Sequence, residues 1–415
     1  MPIPADFQAR LYPCLRAIAD HFGTPFHIYD ERGIRQTARR LIEVFRPWDF
    51  REYFAVKALP NPRILAILRA EGCGFDCSSI PELILARQTG ARGEDILFTS
   101  NNTSLAEFEA ALDDGGCILN LDDISLIDKV PQMPELICFR YNPGGLSGNA
   151  IIGRPEEAKY GVPRDQILTA YRRARECGAS RFGVHAMLVS NERDYRSMVA
   201  TTQMLLDIAQ SARQTLGLNF EFINIGGGLG IPYHPDETPL DLAALGQGVC
   251  QQLQAFAERH GYRPKLLTES GRYVTGPHGV LVTRVINHKD TYRRYIGVDA
   301  NMSALMRPGM YGAYHHIDIL GKTVSETAQV VDVVGALCEN SDKFAVQRLL
   351  PPIVEGNLLM IHDTGAHGHA MGFNYNGRLR PQELLLREDD RVELIRRAET
   401  NDDYFATLNF ASKIL

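Results

Sequence analysis

Several features are missing from this sequence. Nowhere do about 18 uncharged apolar residues run together, so no membrane-spanning helix is expected. No block of lysine and arginine occurs, and 50 acidic residues against 44 basic ones leave a net charge of −6. That balance gives no electrostatic reason to bind nucleic acid or an anionic membrane. The eight cysteines show no paired spacing; Cys73 and Cys77 are too far apart for a C-x-x-C pair, and most of the others sit in apolar runs, as reduced core cysteines do. The opening segment, MPIPADFQARLYPC, lacks a basic start leading into an apolar core and does not read as a signal peptide. The expectation is a reduced, cytoplasmic protein. Internal repeats and low-complexity tracts are also absent.

What is present is a rhythm. β-Prone runs recur as REYFAVKA (51–58), CGFDCSS (73–79), DILFTS (95–100), CILNLDD (117–123), ELICFRYNP (135–143), FGVHAMLVS (182–190), EFINIGGG (221–228) and KLLTESGR (265–272). Most are continuously apolar, as strands buried on both faces of a parallel sheet are. Amphipathic segments such as 81–90 and 197–217 lie between them, and the second stops at a glycine. Eight strand–helix alternations predict an α/β fold, a (β/α)₈ TIM barrel over residues 31–285, with a doubly wound sheet as the structural competitor. After residue 285 strand-like pieces come closely spaced, predicting a mostly antiparallel β domain. That domain would span 1–30 and 286–415, with 25–30 as its N-terminal strand.

The polar residues of the barrel segment cluster at or just past the strand ends, where barrel active sites are built. EYFAVKALPNP (52–62) ends a buried-looking strand on Lys57, either a snorkelling surface residue or an amine placed for chemistry. IGGGLGIP (225–232) fits neither G-x-G-x-x-G nor a P-loop, yet a glycine loop after the seventh strand is placed to hold phosphate through backbone N–H groups. TESGRYVTGP (268–277) puts Glu269 three residues before Arg272, an arrangement that also suits a surface ion pair. A Schiff-base amine, a phosphate cradle and an acid facing a pyridine nitrogen are together what pyridoxal phosphate needs. Farther on, Arg307 and Tyr311 lie four apart and can grip a carboxylate, and Cys338–Glu339 follow an apolar strand. His362, His367 and His369 have no carboxylate or thiolate set at ligand spacing, so no metal is expected.

FAVKA, GFDCSSIPEL, NIGGGLGI, ESGRYV, RPGMYGAYHHI, CENSD and DTGAHGHAMGFNYNGRLRPQELL occur in that order along nearly the whole chain. In this the sequence resembles the pyridoxal-phosphate-dependent decarboxylases of the alanine-racemase-like barrel type, and among them the diaminopimelate decarboxylases. The resemblance implies that Lys57 forms the Schiff base with the cofactor and that Cys338 donates a proton after carbon dioxide leaves. It implies cofactor contacts from Asp76, His185, Ser190, Gly226, Gly227, Gly228, Glu269, Ser270, Gly271, Arg272 and Tyr375, with Glu269 facing the pyridine nitrogen. Substrate would be held by Arg272, Arg307, Tyr311, Glu339 and Tyr375. The implied reaction converts meso-2,6-diaminopimelate to L-lysine and carbon dioxide in a homodimer with shared active sites. A related decarboxylase of another basic or carrier-linked amino acid, or a cofactor-binding homologue without activity, is the alternative.

Two positions depart from the family pattern. Met187 stands where H-x-H-I-G-S would place a histidine that stacks on the cofactor ring, and His367 stands where D-A-G-A-Y has tyrosine.

Overall fold

The computed structural model describes residues 3–145, 157–323 and 327–410. The chain divides into two compact units, one of residues 34–232 and 238–274, the other of residues 1–33, 233–237 and 275–415. The strands in chain order begin with β1 (Phe26–Asp30), β2 (Phe50–Ala55), β3 (Gly74–Cys77), β4 (Gly93–Phe98), β5 (Cys117–Leu121) and β6 (Leu136–Asn142). They continue with the two-residue β7 (Val162–Pro163), β8 (Arg181–His185), β9 (Phe222–Asn224) and β10 (Lys265–Thr268).

In the first unit β2 to β6 and β8 to β10 pair in the order β5-β4-β3-β2-β10-β9-β8-β6, all parallel, and β5 also pairs with β6. That last pairing closes the sheet, which a doubly wound fold leaves open, so the unit is a (β/α)₈ barrel. Tyr53, Leu97, Ile118, Leu136, Cys138, Phe222 and Leu267, drawn from six strands, form one buried cluster. Continuous apolar runs are what such strands require, because each is covered on both faces.

The segment around Lys57 shows how local sequence ends a strand. β2 stops at Ala55, and Val56–Ala58 form a single 3₁₀ turn. Pro60 cannot donate to a sheet, while Asn61 caps the next helix by accepting from the Arg63 amide at 3.0 Å, with Pro62 at its first position. Lys57 therefore sits on a turn fixed between strand and capped helix rather than on the strand itself. β8 is likewise shorter than its apolar run. It ends at His185, which leaves Met187 and Ser190 in the irregular segment beyond.

The other unit adds β11 (Gly279–Asp290), β12 (Arg294–Val298), β13 (Ile317–Ile319), β14 (Gln329–Val334), β15 (Lys343–Leu350), β16 (Leu358–Ile361), β17 (Gln382–Leu386) and β18 (Val392–Arg396). Its path is β15-β14-β12-β11-β1-β17-β18, with β16 on β11 and β13. The sheet is mixed: β1–β17 and β12–β14 run parallel, the other pairs antiparallel. The segment at 25–30 joins it as expected, but β15, β17 and β18 were not legible as strands. Helices Ala5–Leu11 and Leu15–Phe22 bury Phe7, Leu11, Leu15 and Ile18 in a cluster with Phe26, Val280 and Leu384. Among the described residues no helix is long and apolar enough to cross a membrane.

Candidate active site

At the C-terminal end of the barrel strands, Lys57 is 54% exposed although Val56 and Ala58 on either side are buried. Its Nζ lies 3.4 Å from Asp76 Oδ2, at the end of β3. The Asp76 charge raises the lysine above its ordinary pKa. Burial in turn pushes the Asp76 carboxyl up, with Glu269 adding to the push and Lys57 opposing it. Asp76 Oδ1 is buried without a hydrogen-bond partner.

Glu269 follows β10 and is buried. Asn224, the last residue of β9, donates to Glu269 Oε1 at 2.7 Å, and Asn224 Oδ1 accepts from the Gly226 amide at 2.9 Å. His185 Nε2 lies 3.3 Å from Glu269 Oε2. Asn120 on β5 donates to His185 Nδ1 at 2.9 Å, which assigns the ring proton to Nε2, facing Glu269. Burial lowers the His185 pKa, so the ring is neutral at pH 7. Burial opposes charge on Glu269 too, but His185, Lys57 and Arg140 outweigh it and hold the carboxyl below its ordinary value. Arg140 completes the field: it lies 3.1 Å from Asp122 and over the Tyr160 ring at 5.0 Å.

The glycine loop after β9 is fixed by close approach. A Cβ on Gly226, Gly227 or Gly228 would fall within 2.3 Å of the carbonyl oxygens of Ala186, Glu269 and Val189 respectively. Gly226 and Gly228 also have φ of 73° and 94°, where a side chain is strained. The loop thus threads tightly between the segment after β8 and Glu269, with Gly226 and Gly227 buried and Gly228 half-buried. Ser270 Oγ next to Glu269 is buried without a partner.

Ser190 in the segment after β8, Gly271, and Arg272 at the start of the short helix Arg272–Thr275 also belong to the barrel unit; Arg307, Tyr311, Cys338, Glu339 and Tyr375 lie in the other. Arg307 and Tyr311 bracket a five-residue helix, Arg307–Tyr311. Arg307 donates to His315 Nε2 at 2.9 Å and stacks over the Tyr233 ring at 4.5 Å. Since arginine only donates, His315 accepts there, and its Nδ1–H donates to the His362 carbonyl at 2.7 Å. Gly309 lets this helix meet the Cys338–Asp342 turn: a Cβ there would sit 2.4 Å from Ser341 O. Asp342 holds the turn by accepting from the Met302 and Leu337 amides at 2.7 and 2.8 Å. The Cys338 amide donates to Asn376 Oδ1 at 2.7 Å, which brings Tyr375 to the same surface. The Ser341 amide and hydroxyl hold Glu339 below its ordinary pKa.

The residues that support these groups were mostly not legible in the sequence. Asn120 and Asn224 were detectable as amides inside the apolar strands CILNL and FIN, where a polar side chain must find partners. Tyr233, His315 and Asn376 carry no such signal, because only the folded chain brings them to Arg307 and Cys338.

Residues 31–276 match the pyridoxal binding domain of the pyridoxal-dependent decarboxylases. The chain is 50% identical to Protein TabA of Pseudomonas amygdali pv. tabaci, over 97% of this chain and 96% of that one. It is 37% identical to the diaminopimelate decarboxylase of Methanothermobacter thermautotrophicus, over 96% and 94% of the two chains. A crystal structure of the M. jannaschii diaminopimelate decarboxylase in complex with L-lysine is similar at a TM-score of 0.86 and 29% identity, covering 95% of this chain and 94% of that one.

The barrel end fits the cofactor those names imply. It offers an open amine amid buried neighbours, buried oxygens of Asp76 and Ser270 without partners, an ionised buried carboxylate and a glycine loop with no room for side chains. The chain belongs to the pyridoxal-dependent decarboxylases and is a carboxy-lyase that uses pyridoxal phosphate.

Proposed function

We propose that this enzyme converts meso-2,6-diaminopimelate to L-lysine and carbon dioxide. The carrying observation is the surface that joins Arg307 and Tyr311 to the Cys338–Glu339 turn through Gly309 and Ser341. A substrate with a carboxylate and an ammonium at its far end needs a cation and an anion side by side, and this surface supplies both. The Methanothermobacter relative, named for that reaction and aligned over 96% of the chain, supports the reading.

Bound pyridoxal phosphate supplies an electron sink for the pair left on the α-carbon when carbon dioxide departs. Lys57 would carry it. Its amine would have to be unprotonated to hold the cofactor, and Asp76 at 3.4 Å, raised by burial, would take that proton. Gly226, Gly227 and Gly228 would hold the phosphate, with Ser190, Ser270, Gly271, Arg272 and Tyr375 as further contacts. Glu269, ionised and aimed by Asn224, would hold the pyridine nitrogen protonated. Met187 would line the ring, and His185, buried behind Glu269, would act on it through that carboxylate. Arg307, Tyr311 and Arg272 would bind the retained carboxylate, Glu339 the distal ammonium, and Cys338 would return a proton to the α-carbon.

The Cys338–Glu339 surface is exposed, with Tyr311 and Tyr375 at 64% and 53%. We assign it to the active site of a second copy in a homodimer. Mixing inactive Lys57→Ala and Cys338→Ala proteins tests this together with the reaction. Lysine released from diaminopimelate by the mixture, and by neither variant alone, is the expected result. A silent mixture of folded, cofactor-loaded proteins would refute shared sites.

A second reading rests on one observation: identity with TabA, at 50%, exceeds that with the Methanothermobacter enzyme, at 37%. Substrate choice would then differ, with Met187 and His367 as the positions to examine. Turnover of ornithine or arginine tenfold faster than diaminopimelate would favour it.

A further inference from the structure

β2 carries a carboxylate with no part in the account above. Glu52 lies five residues before Lys57 on the strand that leads to it and is 1% exposed. It pairs in register with Thr268, the last of three residue pairs between β2 and β10. One of its oxygens accepts a short hydrogen bond from the Thr268 hydroxyl, and the other accepts from the Ser270 amide at 2.5 Å. Thr268 and Ser270 flank Glu269, and both are 1% exposed. The Glu269 amide itself donates to Gly226 O at 2.9 Å.

We propose that Glu52 is a positioning residue of the cofactor site, holding the Thr268 hydroxyl and the Ser270 amide on either side of Glu269 and tying that segment to the strand that delivers Lys57. Without those two bonds the chain leaves β10 with a free hydroxyl and a free amide in a buried place, and Glu269 can rotate away from Asn224 and His185. Burial pushes Glu52 up to about 8, although the bonds from Thr268 and Ser270 pull it down and Glu269 adds only to the push. At neutral pH the clamp is therefore largely a neutral acid, whose carbonyl oxygen accepts from the Ser270 amide while its O–H shares the short contact with the Thr268 oxygen, and it sets no second charge beside Glu269. Glutamine, which keeps one acceptor and offers an N–H to the Thr268 oxygen, should replace it.

The proposal rests on the reading that Glu269 faces the cofactor's ring nitrogen, and the test separates the two. Glu52→Leu, Glu52→Gln and Glu269→Gln are each loaded with pyridoxal phosphate. Visible absorbance is followed across pH, cofactor affinity is titrated on apoprotein, and kcat and KM are measured. Glu269→Gln should change the cofactor absorbance. Glu52→Leu should change it in the same direction and lower kcat by roughly ten- to a hundredfold with little change in KM, the size expected when a buried hydrogen-bonded group is lost. Glu52→Gln should stay within about threefold of wild type in kcat. If Glu52→Leu does not fold, Thr268→Val, which removes one of the two bonds, should give a smaller shift of the same kind. Normal absorbance and kcat in Glu52→Leu or Thr268→Val overturn the clamp, as does a Glu52→Gln protein no better than Glu52→Leu. Unchanged absorbance in Glu269→Gln would overturn the ring-nitrogen reading and the clamp with it.

Discussion

The two clusters of functional residues are built in opposite ways. At the barrel end each functional side chain is held by another polar one, and all but Lys57 are buried: Asn224 on Glu269, Asn120 on His185, Asp76 beside Lys57. On the β unit, Tyr311, Cys338, Glu339 and Tyr375 are exposed, and what is fixed there is mostly the backbone beneath them, through Asp342 and Asn376. A group that must alter the electronics of a cofactor gains from a dry setting, where charges act strongly and cannot turn away. Groups that grip a substrate must first be open to it, and gain their dry setting only when covered.

The comparison can be broken in order of effect. Lys57→Ala should lower carbon dioxide release on the order of a thousandfold or more and abolish the bound-cofactor absorbance, because no other residue supplies the amine. Turnover near wild type would remove Lys57 from the chemistry. Arg307→Gln should raise KM by roughly ten- to a hundredfold, about 1.4 to 2.8 kcal/mol of lost carboxylate binding, and leave the absorbance untouched. A changed spectrum with unchanged KM would make Arg307 a cofactor residue and erase the division drawn above.

Asn224→Leu should act more weakly and on the barrel side alone. Losing the donor to a buried carboxylate costs about 1–3 kcal/mol, read as a lower melting temperature in the apoprotein and a cofactor that binds less tightly. A pH series gives the smallest effect. Glu52 stands at about 8 in the folded chain against 4.5 as its ordinary value. Stability from its protonated form is complete below about 4.5 and is lost as pH rises toward 8. Glu52→Gln should therefore lose less melting temperature than wild type over that interval. Parallel curves would mean that Glu52 does not hold its proton.

The barrel was legible because eight runs buried on both faces have no use for alternation, and glycines and prolines mark their ends. Lys57 was legible as a lysine ending such a run, and Glu269 by its place after the eighth. The β unit was harder. β15, KFAVQRLL, mixes buried and exposed positions irregularly, and its pairing with β14 shifts register twice. β17 is held by β1 from 356 residues away, by a pairing that no local pattern announces.

By itself the sequence determined the barrel, the cofactor and the family, because these rest on residue types repeated at fixed places along the chain. Tertiary structure decided the states of those residues. Glu269 is ionised while Glu52, on the neighbouring strand, is largely neutral, and the difference comes from which donors and charges surround each carboxyl. Those neighbours come from strands far apart in the chain, so no spacing in the sequence can specify them.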